Sequence, residues 1–508
     1  MHDDAVATKP ILMVHKADLT ATAAALCPLL ATCDDLFDRG VPVRVVMATG
    51  GRLPLARPIS YHGVAICTHR LCQPVVLADG QRREITLPDR VSKLYLEMHS
   101  DWGLRPLAGI STSPLLAEDG AISTLNGYDH RTQLLSVNAP PLMVPMHPAF
   151  EDAFRAMRLL RHTFRTFPFA DATLKHDDTL GVVVVDIDHS PGRDESAFIV
   201  ALLTACARAS LWLAPGFLLT APAISGAGTG KGLLARSICA IAHGIQPHAF
   251  TSGGGRQELE KRIGAELIEA QPALFLDNAN GIALRSDTLA SVMTERPSRI
   301  RLLGKSEMVT LNAVAFVIVT GNGLTITEDL ARRFINCELD ARCEDPETRP
   351  FTGGFLERVT AHRKELLTAV LTIWRWGRQN VASLNPGIPL GGFETWAAWC
   401  RDPLLALGCR DPVERIAALK ATDPRRLNVA AIFEAWEKAH QDHPVRADGI
   451  HDSVRTLLDP QGRGRQFVVA QLQKLVGTRV AGYTLTAQQS PGKWGAATYK
   501  LRRTNGGP

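Results

Sequence analysis

The segment Ser225-Gly226-Ala227-Gly228-Thr229-Gly230-Lys231-Gly232-Leu233 holds the residue types that grip a phosphate chain. Glycines let successive backbone N–H groups curl around phosphate oxygens. A helix that starts at the lysine turns its positive end to the anion, and the ammonium reaches the outer phosphates. Gly226, Ala227, Gly228, Thr229, Gly230, Lys231, Gly232 and Leu233 are therefore the candidate nucleotide-binding residues. Two positions depart from the usual pattern: Ser225 stands for its first glycine, and Gly232 follows the lysine where a Ser or Thr hydroxyl ordinarily ligates Mg²⁺. The bland alternative is a Gly-rich turn that caps a helix.

Downstream residues bear on that alternative. Pro272–Leu276 is an apolar run ending in Asp277, 46 positions after Lys231. A carboxylate at a strand end beside a phosphate loop can hold the water shell of Mg²⁺. Ala315–Val319 is a second apolar run, followed by Thr320-Gly321-Asn322. Asn322 there can orient an attacking water or sense the terminal phosphate. Asp329-Leu330-Ala331-Arg332-Arg333-Phe334 follows, and Arg332 or Arg333 suits a finger that reaches a neighbouring subunit's nucleotide. Singly, these residues also read as a capped strand end, a core-edge amide and a solvated basic turn.

In this order the motifs resemble those of AAA+ ATPases, in particular the replication helicases of phages, plasmids and integrated elements related to superfamily 3 and to minichromosome-maintenance helicases. The resemblance rests on Gly228–Leu234, Leu276-Asp277-Asn278, Thr320-Gly321-Asn322, Asp329–Phe334 and the run Glu344-Asp345-Pro346-Glu347 with Arg349. It is firm from Leu211 to Arg375. It implies ATP and Mg²⁺ as ligands, Asp277 as the Walker B carboxylate, Asn322 as sensor 1, and assembly into a homo-oligomeric ring, expected to be a hexamer.

Asn278 stands where most AAA+ ATPases place the glutamate that activates water. Glu258, in Glu258-Leu259-Glu260-Lys261-Arg262 after a glycine loop, is the substitute base expected; the alternative is a solvated helix face with Glu–Lys pairing.

Between Asp277 and Asn322, Arg299–Leu303 and Glu307–Leu311 flank Gly304-Lys305, a hairpin signal. It resembles the pre-sensor 1 hairpin of those helicases, whose basic tip grips one strand of nucleic acid in the ring pore. Lys305 at the tip, with Arg299 and Arg301 on one face, would supply phosphate attraction without base preference. The plain alternative is a surface hairpin.

Net charge is +5, yet Gly449–Pro508 alone carries nine Lys/Arg against two acids. Two helical patterns there, Ser453–Leu458 and Phe467–Val476, precede two β-like runs, Gly482–Thr486 and Ala497–Leu501, around a Pro/Gly/Lys loop. This looks like a winged helix, with Lys474 on its second helix and Lys493 in the wing, and its charge favours DNA over a protein partner.

These parts need a scaffold. From Leu211 to Pro350, β-like runs alternate with helical patterns, which predicts a parallel sheet with crossover helices. The fold class expected is α/β: a P-loop AAA+ core at 151–350, a helical lid and linker at 351–445, the winged helix at 449–503, and a mixed α/β accessory domain at 1–150. Helices are expected at 148–164, 195–209, 355–379 and 393–440. Within residues 1–150, Val43–Met47, Gly63–Cys67 and Pro74–Leu77 read as strands. No carboxylate set there suits a primase, and Tyr128 is only a remote candidate for a DNA-linking nucleophile.

A length of 508 residues implies several domains. Ten scattered cysteines without a Cys-x-x-Cys pair point to reduced, buried thiols rather than structural zinc. No N-terminal apolar leader and no apolar run long enough for a membrane span are found, so a cytoplasmic protein is expected. The function expected is an ATP-dependent, ring-forming DNA helicase or translocase for replication of a mobile element. A slow-hydrolysing AAA+ DNA-binding switch or loader is the alternative, since Gly232 and Asn278 both lean that way; a small-molecule kinase is the further rival.

Overall fold

The computed structural model describes residues 9–504 apart from 48–53, 100, 252, 254, 281–282, 302–306, 350–352, 422 and 490–496. They form two compact units. One comprises Met1–Gly281, Ser286–Leu324 and Arg333–Arg415; the other comprises Ile282–Arg285, Thr325–Arg332 and Ile416–Pro508. Among the described residues no helix is long and apolar enough to cross a membrane.

The centre of the first unit is a five-stranded parallel sheet. Its strands are β1 (Gly216–Ala221), β2 (Ala249–Phe250), β3 (Ala273–Leu276), β6 (Phe316–Asn322) and β7 (Phe334–Glu338), in the spatial order β2-β3-β6-β1-β7. The antiparallel pair β4 (Ser298–Arg301) and β5 (Met308–Leu311) lies in sequence between β3 and β6. β1 is buried at every position and β6 at all but its last, as expected of strands covered on both faces. The connection from β1 runs outward past β6 and β3 to the edge strand β2. The chain then steps back through β3 and β6, and crosses β1 to reach β7. The loop after β1 therefore stands where the winding reverses, the place in such sheets where ligands bind.

Helices pack around the sheet: α1 (Arg193–Ala207), α2 (Lys231–His243), α3 (Arg256–Ile268), α4 (Asp287–Thr294), α5 (Phe355–Ala361) and α6 (Arg363–Gln379). α1 is buried from Asp194 through Ala207, its polar Asp194, Glu195, Ser196 and Thr204 included, and so forms an inner layer. The alternating strand and helix periods read from the sequence are thus realised, as is the helix near residue 150, at Phe150–Phe164.

The N-terminal residues join this unit through hydrogen bonds to helix ends. Arg39 is buried; its Nε donates to Ile268 O at 2.9 Å and its Nη2 to Leu267 O, capping the C-terminus of α3. Arg363 and Thr112 do the same for α2, donating to Ile241 O at 3.0 Å and to His243 O at 2.8 Å. Gly63–Cys67 is not extended as its sequence suggests. It lies inside a helix, Tyr61–Leu71, that the Ser60 hydroxyl caps by accepting from Gly63 N at 3.2 Å. Burial of Val64, Cys67 and Thr68 on one face of that helix outweighs the β-branched content of a short window.

In the second unit, α7 (Pro424–His440), α8 (Asp452–Leu458) and α9 (Arg465–Leu475) accompany an antiparallel sheet. Its strands β8 (Val445–Arg446), β9 (Arg479–Val480), β10 (Tyr483–Gln489) and β11 (Ala497–Arg503) run in the order β8-β11-β10-β9. Trp436, Leu472 and Val454 are fully buried between these layers, with Tyr499 and Leu485 nearly so.

Candidate functional site

The turn after β1 is shaped by its glycines. Gly228 and Gly230 have φ of 72° and 96°, the left-handed region that side chains avoid. A Cβ at Gly228 would lie 2.7 Å from the backbone nitrogen of Glu347, and one at Gly226 would lie 2.1 Å from Pro222 O. Glu347 therefore lies directly against the loop. α2 begins at Lys231, so its first backbone N–H groups face the turn.

Lys231 is 8 % exposed and donates from Nζ to Gly226 O at 2.6 Å and to Thr229 Oγ1 at 3.1 Å. Burial pulls its pKa down to about 8, against the opposing pull of Asp277. Thr229 Oγ1 in turn donates to Gly226 O at 3.0 Å. Such a lysine is part deprotonated only at mildly alkaline pH, and it would gain charge and a better partner if a phosphate arrived.

Asp277 follows β3 directly. Its backbone N donates to Phe250 O at 2.9 Å, and its Oδ1 accepts from Thr320 Oγ1 at 2.5 Å. Thr320 Oγ1 also accepts from Asn278 N at 3.1 Å, so one hydroxyl on β6 fixes both the carboxylate and the following turn, where Asn278 adopts φ 56°. Asn322 ends β6 beside the phosphate loop. Its Oδ1 is buried, lacks a hydrogen-bond partner among the described residues, and lies 2.8 Å from where a Cβ on Gly226 would be. Its backbone N donates to Asn280 Oδ1 at 2.6 Å. An orphaned buried amide oxygen aimed at a phosphate loop is a costly arrangement unless a ligand or water completes it.

Of the residues singled out from sequence, the structure gathers Gly226–Leu233, Asp277 and Asn322 at the carboxyl ends of adjacent strands. Glu258 lies in the first turn of α3, its carboxylate 3.4 Å from Arg262 Nε and 3.8 Å from Lys261 Nζ of its own helix. Arg333 is half buried just before β7, and Arg332 is exposed in the second unit, 2.8 Å from Asp329. Arg299 and Arg301 lie together on the exposed face of the β4–β5 hairpin, while Ile300 and Val309 point inward. Lys305 falls outside the described residues, as does Lys493. Lys474 is exposed on α9. Tyr128 donates its hydroxyl to Pro106 O and packs against Phe37, a structural setting.

Sequence reasoning missed two members of the site. Thr320 was part of a quoted motif but had no role. Arg236 was not considered, although it stands one helical turn after Gly232. Its Nη2 is 3.3 Å from Asp277 Oδ2, and its guanidinium lies 5.2 Å from the Phe275 ring centroid. A cavity of about 800 Å³ opens beside Thr229, Gly230 and Leu233; Phe167, Val185 and Phe355 are among its walls. It is mainly apolar and large enough for a nucleoside.

Asp277 is the carboxylate that could hold hydrated Mg²⁺ accompanying a nucleotide. The donor set fits through water rather than by direct ligation, because position 232 offers no hydroxyl.

No family model matches the chain, and no curated protein matches it. Three solved structures show what it is similar to. The apo C-terminal region of NrS-1 is 13 % identical, with 65 % of this chain and 83 % of that one covered at a TM-score of 0.30. The active helicase Cch of SCCmec type IV is 11 % identical, with 91 % of each chain covered and a TM-score of 0.35. JCV helicase with a bound small molecule is 12 % identical, with 57 % and 71 % covered and a TM-score of 0.20. At such TM-scores the likenesses carry no argument by themselves, and the reading of function rests on the geometry of the loop, Asp277, Thr320 and Asn322.

Proposed function

We propose that this protein is an ATP-dependent DNA helicase or translocase of the AAA+ class that works as a ring, expected to be hexameric, in the replication of a mobile element. One observation carries the reading: Lys231 on the glycine loop, Asp277 with Thr320, and the Asn322 Oδ1 that has no partner among the described residues lie where the sheet reverses its winding. A triphosphate fits there, with Lys231 and the first N–H groups of α2 on its outer oxygens and the base in the adjoining apolar cavity. Mg²⁺, when bound through water to Asp277, would draw charge from the outer phosphates. Asn322 would orient the attacking water by accepting a hydrogen bond from it, and Arg332 or Arg333 would stabilise the developing charge from a neighbouring subunit.

The DNA side of the proposal rests on the β4–β5 hairpin, with Arg299 and Arg301 exposed on one face and Lys305 between its two strands in sequence, and on the basic C-terminal helices and sheet. We read α8, α9, β10 and β11 as a winged helix that places Lys474 and Lys493 on duplex phosphates. The helical segment 351–445 is proposed as lid and linker, and residues 1–150 as an accessory part. A strand-displacement assay with Lys231→Ala as control tests the whole: unwinding that needs Lys231 supports it, and absence of unwinding removes it.

A second reading, a slow-hydrolysing switch or loader, is favoured by one observation. Glu258 is engaged by Arg262 and Lys261 of its own helix, and Asn278 replaces the usual base. Steady-state ATPase with and without single-stranded DNA separates the two, because a motor is strongly stimulated. Glu258→Gln decides that residue's role: retained binding with lost turnover makes it the base, and unchanged kcat removes it.

A further inference from the structure

The site carries a second fixed cation that the phosphate-loop pattern does not call for. Arg236 lies on α2 one turn beyond Gly232, and this spacing sets its side chain over position 232. A Cβ built on Gly232 would lie 2.7 Å from Arg236 Nη1 and 3.9 Å from Asp277 Oδ1. The missing hydroxyl and the arginine are thus complementary: a side chain at 232 would push the guanidinium out of its place. The guanidinium is held from two further sides, by Asp277 Oδ2 at 3.3 Å and by the face of Phe275, a ring fully buried in β3. Its side chain is 32 % exposed, so it is anchored yet open to an incoming anion.

Resting on the reading of this site as a nucleotide pocket, we propose that Arg236 is a positioning and phosphate-binding cation that takes over the charge-neutralising share of Mg²⁺ in nucleotide binding, with Gly232 as the gap that admits it. A guanidinium offers fixed, bidentate donors and stays charged at every working pH, so it can meet phosphate oxygens where a hydroxyl would otherwise hold metal. Metal bound through water at Asp277 then matters for the hydrolytic step more than for holding the triphosphate. It follows that binding should survive chelation of Mg²⁺ and should stop doing so once Arg236 is removed or displaced.

The test is the affinity of the full chain for a fluorescent ATP analogue, measured with Mg²⁺ and with EDTA. For the unmodified protein the two affinities should agree within about tenfold. In Arg236→Ala, loss of a charge-assisted contact should make binding in EDTA roughly 10- to 100-fold weaker than in the parent, with a smaller loss in Mg²⁺. Gly232→Ser, which keeps the arginine but crowds it, should move the same way. The double variant should bind well only with Mg²⁺, and circular dichroism melts check that each variant is folded. Equal EDTA-to-Mg²⁺ ratios in the parent and in folded Arg236→Ala would overturn the role of Arg236 while leaving the nucleotide site standing. Failure of the parent to bind with Mg²⁺ present would instead overturn the nucleotide site itself, and the proposal with it.

Discussion

The hydroxyl of Thr320 and the carboxylate of Asp277 meet across neighbouring parallel strands at 2.5 Å, and the same oxygen accepts the backbone N–H of Asn278. β6 thereby sets the orientation of the acid that ends β3, and Asn322 lies two residues further along the same strand. Movement of the β6 end is therefore felt at the carboxylate and at the amide together.

Thr320→Val keeps the shape and removes the hydroxyl. Two hydrogen bonds are lost and Asp277 is freed to turn, so ATP hydrolysis should fall roughly tenfold or more. Stability should drop by about 1 to 2 kcal/mol, the cost of leaving buried partners unpaired. Steady-state kinetics and urea unfolding check both; an unaltered kcat would show that Asp277 needs no support from β6.

Lys231→Ala removes the ammonium that now bonds to Gly226 O and Thr229 Oγ1. Nucleotide affinity should fall by roughly 100-fold, in line with loss of a charged contact to phosphate. The protein should remain folded, because the lysine is held in a depressed-pKa state that burial disfavours. Calorimetric titration and a melting curve read the two effects separately.

The pH dependence has a definite sign. Lys231 titrates at about 8 in the folded chain against an ordinary value of 10.5. Between those values the unfolded chain binds more protons, so this group's contribution to stability without nucleotide rises with pH across that window. Bound phosphate favours the ammonium and restores the higher pKa. At pH 8.5 binding should then take up roughly half a proton or more, seen as a dependence of the binding enthalpy on buffer ionisation. No uptake in the parent, or the same uptake in Lys231→Ala, would assign the effect elsewhere.

Gly228→Ala should destabilise the loop by about 1 to 3 kcal/mol, since the residue sits at φ 72° and its Cβ would strike the Glu347 backbone. Hydrogen exchange confined to the loop and to residues 344–347 would report it. A neutral result would mean that the two segments part easily.

Much of the site was legible in the sequence because it depends on short-range order. A glycine loop between an apolar run and a helical pattern, and two apolar runs ending in Asp277 and Thr320-Gly321-Asn322, became strand ends side by side. What escaped depends on three dimensions. Arg236 gains meaning only when Gly232 is seen to leave room for it, and Glu258 could not be judged until Arg262 and Lys261 were seen beside it. In the N-terminal part, Gly63–Cys67 misled because five residues carry too little periodicity to reveal a buried helical face spaced at Val64 and Cys67–Thr68.

The far end of α2 has its own consequence. This helix is 13 residues and so about 20 Å long, with the phosphate loop at one tip and the carbonyls of Ile241, Ala242 and His243 at the other. Those carbonyls are met by Arg363 from α6 and by Thr112 and Ser113 from the first 150 residues. Amputating the leading portion of the chain would strip two hydroxyl caps from the rod whose opposite tip carries the proposed nucleotide loop, so a shortened protein would carry an injury to that loop even though every motif around it was retained.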